Sequence, residues 1–149
     1  AWRKSDGDFG AMLLVTDDAD SFFEQWNQPA APGYTPNVSA ADSARRGDTV
    51  TALILFSGCT PSADGNCQTV ADMKVVRPDG SIYAEYESVP IWDEAPAAQG
   101  RLLVGLAQLA FEVELTDPLG EYQIEVLVRD RAGFRGVALT RALDVEAAK

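Results

Sequence analysis

Along most of the chain, apolar residues recur at every second position, the spacing of extended strands with one buried face. The clearest run is Asp117 to Phe134. Tyr122, Ile124, Val126 and Val128 share one face there; Gln123, Glu125 and Arg129 share the other, with Leu127 the one apolar exception. Asp117, Pro118 and Gly120 make a turn before this strand, and Asp130 to Gly133 make one after it. Val137, Leu139, Leu143 and Val145 run back as a partner strand. Arg141 breaks that apolar face, so either a bulge turns it outward or it pairs with a buried acid.

The same period marks earlier strands. Phe9 to Thr16 alternates Phe9, Ala11, Leu13 and Val15 against Met12 and Leu14. In Thr49 to Ser57, Val50, Ala52, Ile54 and Phe56 form one face, yet Leu53 and Leu55 are apolar too. That predicts a central strand covered on both sides. Gln68 to Val76 follows, then a turn at Arg77-Pro78-Asp79-Gly80 and a return strand from Ser81 to Glu87. Val89 to Gly100 reads as a loop carrying Pro90, Trp92 and Pro96. Arg101 to Ala107 is apolar without a clear period, and Leu109, Phe111, Val113 and Leu115 make a further strand. Thr35 to Ser43 has room for a short edge strand around Val38.

One segment breaks the period of two. Ser21-Phe22-Phe23-Glu24 fits a capping box, and Phe22 and Trp26 lie one turn apart. A helix of about two or three turns is expected, ending before Pro29. The sum is an all-β chain of about seven or eight strands with one short helix near the N-terminus. Tyr122, directly after a turn and at the start of a late strand, suits a tyrosine corner. The expected fold is an antiparallel immunoglobulin-like β-sandwich, and residues 1–149 are expected to form a single domain.

Composition narrows the function classes. The formal net charge is −11, which disfavours nucleic acid and anionic membrane surfaces as partners. No apolar run approaches the ~20 residues of a membrane span. A chain opening at Ala1 fits removal of a signal peptide. Cys59 and Cys67 bracket a tight polar loop and are expected to form a disulfide. With no His and no further Cys, zinc lacks ligands. A disulfide implies an oxidising compartment, periplasmic or extracellular.

Catalysis is hard to assemble from these residues. Without His, a Ser-His-Asp triad and a Cys-His pair are both excluded. Carboxylate pairs are conceivable, but no spacing singles one out. No cofactor is expected. Arg46-Gly47-Asp48 spells an integrin-binding tripeptide, although a Gly-Asp turn before a central strand is ordinary. Asn37-Val38-Ser39 matches a glycosylation acceptor. Asp17, Asp18 and Asp20, and likewise Asp64 and Asn66, read as helix capping and solvated turns rather than a calcium loop. The candidate binding surface comprises Trp26, Tyr34 and Trp92, aromatics in or near the non-strand insertions that could anchor a partner or stack on a sugar. The competing reading has Phe22, Phe23 and Trp26 covering an open end or edge of the sandwich.

Three runs carry a resemblance. They are Arg46 through Ser57, Gly58 and Cys59; Val75 to Tyr83; and Asp117 to Tyr122. They resemble an uncharacterised family of exported bacterial proteins with an immunoglobulin-like, or fibronectin-like, sandwich. The resemblance implies fold and export and brings no site residues. Two functions follow as expectations. The first is a non-catalytic exported interaction module with a protein partner. The second is a carbohydrate-binding or polysaccharide-system accessory domain.

Overall fold

The computed structural model describes residues 3–26, 41–96 and 101–148. Ten strands and one helix are found among them: β1 (Arg3–Asp6), β2 (Phe9–Thr16), α1 (Ala19–Trp26), β3 (Ser43–Arg45), β4 (Thr49–Ser57), β5 (Thr69–Val76), β6 (Ile82–Trp92), β7 (Leu103–Val104), β8 (Leu109–Glu112), β9 (Gly120–Asp130) and β10 (Arg135–Glu146). The strands beyond the expected number are the short ones, β1, β3 and β7. Such pieces are too brief to show a period.

The strands form two sheets. One runs β1-β2-β4-β7, with β8 also paired to β4; the other runs β3-β10-β9-β5-β6. Strands β7 and β8 pair successive stretches of β4, so they act as one interrupted strand. This is the immunoglobulin plan. β2, β4 and β7/β8 stand where strands A, B and E stand, and β10, β9 and β5 stand as G, F and C. Pairing is antiparallel except between β3 and β10. Helix α1 is inserted between β2 and β3.

The core lies between the sheets. Phe9, Leu13, Val15, Ile54, Phe56, Val75, Ile124, Val128, Leu139 and Leu143 are buried there, from the alternating positions that the apolar pattern marks. The second apolar face of β4 has its own cover. Leu53 and Leu55 are buried beneath Phe22 of α1, with Met12, Leu14, Phe23, Trp26 and Val104 around them. Trp26 stacks on Phe22 with ring centroids 5.7 Å apart, and Phe23 meets Phe22 edge-on at 5.2 Å. The helix therefore covers an outer sheet face, not an end or edge of the sandwich.

Several expectations shift in detail. The helix starts at Ala19, and its N-cap is Asp18, whose Oδ1 accepts the Ser21 amide at 3.0 Å. Ser21 thus sits inside the first turn and heads no capping box. An aspartate at the cap accepts the same backbone N–H that a serine would, so the box and the cap compete for one role. The strand expected around Val38 lies outside the described residues, as do Tyr34 and the Asn37-Val38-Ser39 acceptor. Strand β6 runs on to Trp92, through Pro90, in place of the expected loop. It is an edge strand with three register shifts against β5, and an edge tolerates a proline that needs no ladder bond. Strand β8 stops at Glu112. Val113 is buried, but Leu115 is 68% exposed, because the Val113 amide bonds Asp48 and the chain turns from Glu114 to Asp117.

No register shift interrupts β10 at Arg141, so no bulge turns it outward. Its Nη1 donates to the Leu13 carbonyl at 3.1 Å. The carbonyls of Leu13 and Val15 alternate to the same edge of β2. β1 pairs β2 only as far as Met12, and Ala41 takes the Val15 carbonyl. Arg141 fills the position between them.

Candidate functional site

The sandwich has two ends, and they are built differently. At the first, which holds the turn before β9, Tyr122 is buried, and its hydroxyl donates to the Pro118 carbonyl at 2.7 Å. That is the expected tyrosine corner. Asp117 is buried beside it. Its Oδ2 accepts the Tyr83 hydroxyl at 2.9 Å and the Glu114 amide at 2.7 Å, and its carbonyl accepts Arg46 Nε at 2.8 Å. The Tyr83 hydroxyl also reaches the Glu112 carbonyl at 3.0 Å, and the Arg77 guanidinium lies 4.9 Å over the Tyr83 ring. Burial, and then the Asp117 hydrogen bond, push the Tyr83 phenol up to about 12. Burial raises Tyr122 as well.

Arg46-Gly47-Asp48 belongs to this end and is tied into it. Gly47 has a φ of +97°, a conformation that favours glycine. Asp48 Oδ2 accepts the Arg45 amide at 2.9 Å, and the Gly47 amide donates to the Val113 carbonyl at 2.6 Å. With Arg46 spent on Asp117, the tripeptide is a structural turn.

The opposite end carries the β4–β5 loop, the β9–β10 hairpin and the end of β6. Cys59 and Cys67 form the expected disulfide, with Cα atoms 6.0 Å apart and both residues buried. Within the loop, Asp64 Oδ1 accepts the Ser62 hydroxyl at 2.7 Å and the Asn66 amide at 2.9 Å. Those two donors hold the Asp64 carboxyl below its ordinary value, the Ser62 hydroxyl most. The loop is joined to the hairpin by buried Asp130, whose Oδ2 accepts the Thr60 amide at 3.0 Å, and by the Arg131 amide, which donates to the Gln68 carbonyl at 2.9 Å. A Cβ on Gly133 would strike both the Asp130 carboxylate and the Thr60 hydroxyl, so loop and hairpin sit in close contact. Asp130 Oδ1 and Thr69 Oγ1, from residues paired across β5 and β9, are buried without a hydrogen-bond partner among the described residues.

On this braced frame stands Phe134. It is 95% exposed and holds a φ of +54°, in the left-handed region that a bulky residue seldom occupies. An apolar side chain in full solvent, on a backbone disfavoured for it, gains nothing for the fold. Beside it is an open groove of about 610 Å³, lined by Gln68, Leu127, Arg129, Arg131 and Arg135. Arg129 is held by Asp72 at 2.9 Å and by the Ser88 hydroxyl at 3.1 Å.

The aromatics that stand out in the sequence are placed otherwise. Trp92, half-buried, meets Phe56 edge-on with centroids 6.0 Å apart, and its Nε1 donates to the Ala95 carbonyl at 2.9 Å. Trp26 lies on α1 over the outer side of β4, whereas Trp92 packs on the core side. The structure does not bring them together. Phe134, Arg131 and Arg135 are not among the residues the sequence marks as candidates. The available signal is RDRAGFR, three arginines around an aromatic in an acidic chain.

A smaller groove of about 310 Å³ crosses the outer face of β5, β6, β9 and β10. Of the four carboxylates that line it, Asp72 is engaged with Arg129 and Glu125 with Lys74 at 3.3 Å, and the other two are Glu85 and Glu87. No cluster of three or more metal-binding side chains occurs among the described residues. Nor is any helix among them long and apolar enough to cross a membrane.

No protein-family model matches the chain, and no curated protein matches it in sequence. Solved structures match it in shape. A family 123 glycoside hydrolase from Clostridium perfringens, described for glycolipid glycan hydrolysis, superposes over 95% of this chain with a TM-score of 0.52 at 8% identity. The chain spans 27% of the length of that hydrolase. A Niemann-Pick type C2 protein from Japanese carpenter ant matches 90% of the chain and 89% of its own length, with a TM-score of 0.42 and 11% identity. An immunoglobulin-like protein from Pseudomonas aeruginosa matches 98% of both chains, with a TM-score of 0.38 and 16% identity. At these identities the likeness is one of fold alone; the chain's own strands and helix make an immunoglobulin-like β-sandwich with one short helix near its N-terminus.

Proposed function

We propose that this chain is a non-catalytic interaction module, acting in an oxidising compartment outside the cytoplasm, that binds a protein partner through the end carrying Phe134. The observation that carries the reading is Phe134 itself. It is solvated on every side, on a left-handed backbone, at the tip of a hairpin held rigid by Asp130 and the Cys59–Cys67 loop. Interface hot spots are commonly aromatic or arginine side chains, and a rigid frame lowers the entropy lost on binding. In the immunoglobulin plan this is the end of the B–C and F–G loops, the one that variable domains use for recognition. The disulfide supports the oxidising compartment.

The carbohydrate reading asks for two rings on one exposed face, and no observation favours it over the protein reading. Trp26 and Trp92 pack on opposite sides of β4.

The test is photo-crosslinking in the native host, with a benzophenone amino acid at position 134 and, as control, at position 119 on the other end. One identified protein crosslinked from position 134 and absent from position 119 is the expected result. Equal labelling from both positions, or capture of polysaccharide alone, defeats the proposal.

A further inference from the structure

Arg131 and Arg135 flank Phe134, and their guanidiniums form no hydrogen bond or ion pair with any described residue. In a chain of net charge −11 that is unexpected, because carboxylates outnumber cations nearly two to one. The acids close to the hairpin are engaged with backbone. Asp130 turns inward to the Thr60 amide, and Asp6 Oδ2 accepts the Gly136 amide at 3.3 Å. Arg129, the third cation of the groove, is already matched by Asp72. With Arg129 matched by Asp72, the cations of the tip without a carboxylate partner among the described residues are Arg131, which is exposed, and Arg135, which is half-buried with its guanidinium laid against Gly7 of the β1–β2 turn. The hairpin is thus a small cationic island, with an exposed ring at its centre.

We propose that this end recognises a short acidic peptide segment of its partner, with carboxylates on Arg131 and Arg135 and an apolar side chain over Phe134. The inference rests on the preceding reading of this end as a protein-binding surface. Planar guanidiniums match carboxylates in a two-pronged hydrogen-bonded geometry that an ammonium cannot copy. The single ring beside them offers an apolar contact, not the paved platform a glycan chain needs. The rest of the molecule sets the length of the acidic segment. A partner acidic over its whole surface is repelled by this chain, whereas a short acidic stretch meets only the island. Nucleic acid is disfavoured on the same ground, since it presents charge all along its length.

The experiment is an NMR titration of the ¹⁵N-labelled full chain with three probes: a short Glu- and Leu-containing peptide, its Lys-for-Glu counterpart, and polygalacturonate. The acidic peptide is expected to shift the amides of residues 129–136. Arg131→Glu with Arg135→Glu is expected to weaken it by about tenfold or more, the loss of charge-assisted hydrogen bonds. Arg131→Lys is expected to restore only part of that affinity, because the charge is kept and the fork is lost. Both side chains lie outside the core, so the variants fold, which the unchanged dispersion of distant amides verifies. Shifts elsewhere, no shifts, equal binding of the lysine peptide, or binding of polygalacturonate alone would each overturn the acidic-peptide assignment. A protein crosslinked from position 134 would leave the interaction reading standing in each of those cases, so the two failures are distinguishable.

Discussion

The two ends of this sandwich are both braced, and they are built differently. At the corner end, the polar side chains turn back into the fold. Tyr122 bonds Pro118, Asp117 gathers Tyr83 and Glu114, and Arg46 is spent on a carbonyl. At the loop end, the bracing is done by backbone, a disulfide and one buried carboxylate, and that leaves Phe134 and Arg131 exposed, with Arg135 half-buried against Gly7. The contrast separates stability from presentation. Removing a corner side chain leaves a buried donor or acceptor unmatched. Removing Phe134 or Arg131, both exposed, leaves no buried group unpaired.

Four measurements would sharpen or break that contrast. The largest effect is expected from Asp117→Ala, which strips two hydrogen bonds from a buried acceptor and should cost about 3–4 kcal/mol in chemical denaturation. A loss under about 1 kcal/mol would show that the corner is not where stability is held. Next comes Cys59→Ser with Cys67→Ser. Chain entropy for so short a loop gives about 2.6 kcal/mol. Hydrogen exchange should quicken at Thr60 and Arg131 and stay unchanged around Tyr122; uniform quickening would mean the ends are not independent.

The third effect depends on pH. The Tyr83 phenol is raised to about 12 in the folded chain, against about 10 when unfolded. Between those values the folded state keeps a proton that the unfolded state has released, so stability falls as pH rises through the window. The expected loss is about 1–2 kcal/mol after allowance for partial exposure, and Tyr83→Phe should reduce that slope, the raised Tyr122 phenol supplying what remains. Phenolate absorbance should show one fewer late-titrating tyrosine in the variant than in the parent. The smallest effect on stability belongs to Phe134→Gly, within about 0.5 kcal/mol of the parent. The same substitution should abolish binding of the acidic peptide. A marked destabilisation would return Phe134 to the fold and remove it from the surface.

Much of the architecture is legible in the residue pattern. The strands Phe9–Thr16 and Thr49–Ser57 stand out because each has a full run of alternating apolar residues, and the corner because Tyr122 follows its turn directly. The double-sided apolar character of β4 announces a cover, and α1 supplies it. The departures are local. Pro90 looks like a loop residue because the edge position that tolerates it is a property of the sheet. Ser21 and Asp18 could each cap α1, and only the backbone geometry chooses between them. In β6 burial does not follow a period of two, because three register shifts break the strand: Ile82 and Tyr86 are half-exposed, while Tyr83 packs on Tyr122 and Phe111.

The candidate site is less legible, for a physical reason. Trp26 and Trp92 stand out because tryptophans in insertions often serve binding, yet a large apolar ring is equally valuable as packing. Phe134 sits one residue past a turn glycine, where an aromatic could as easily open the next strand.

The sequence by itself determined the fold class, the disulfide partners, the corner and the absence of histidine chemistry, because alternation, turn residues and composition are local properties of the chain. The tertiary structure decided which apolar residues are covered and which cations are paired. Exposure of Phe134 and isolation of Arg131 and Arg135 depend on what strands distant in sequence bring beside them. Asp130 and Asp6 are turned to the backbone only once β9, β10, β1 and the disulfide loop have met.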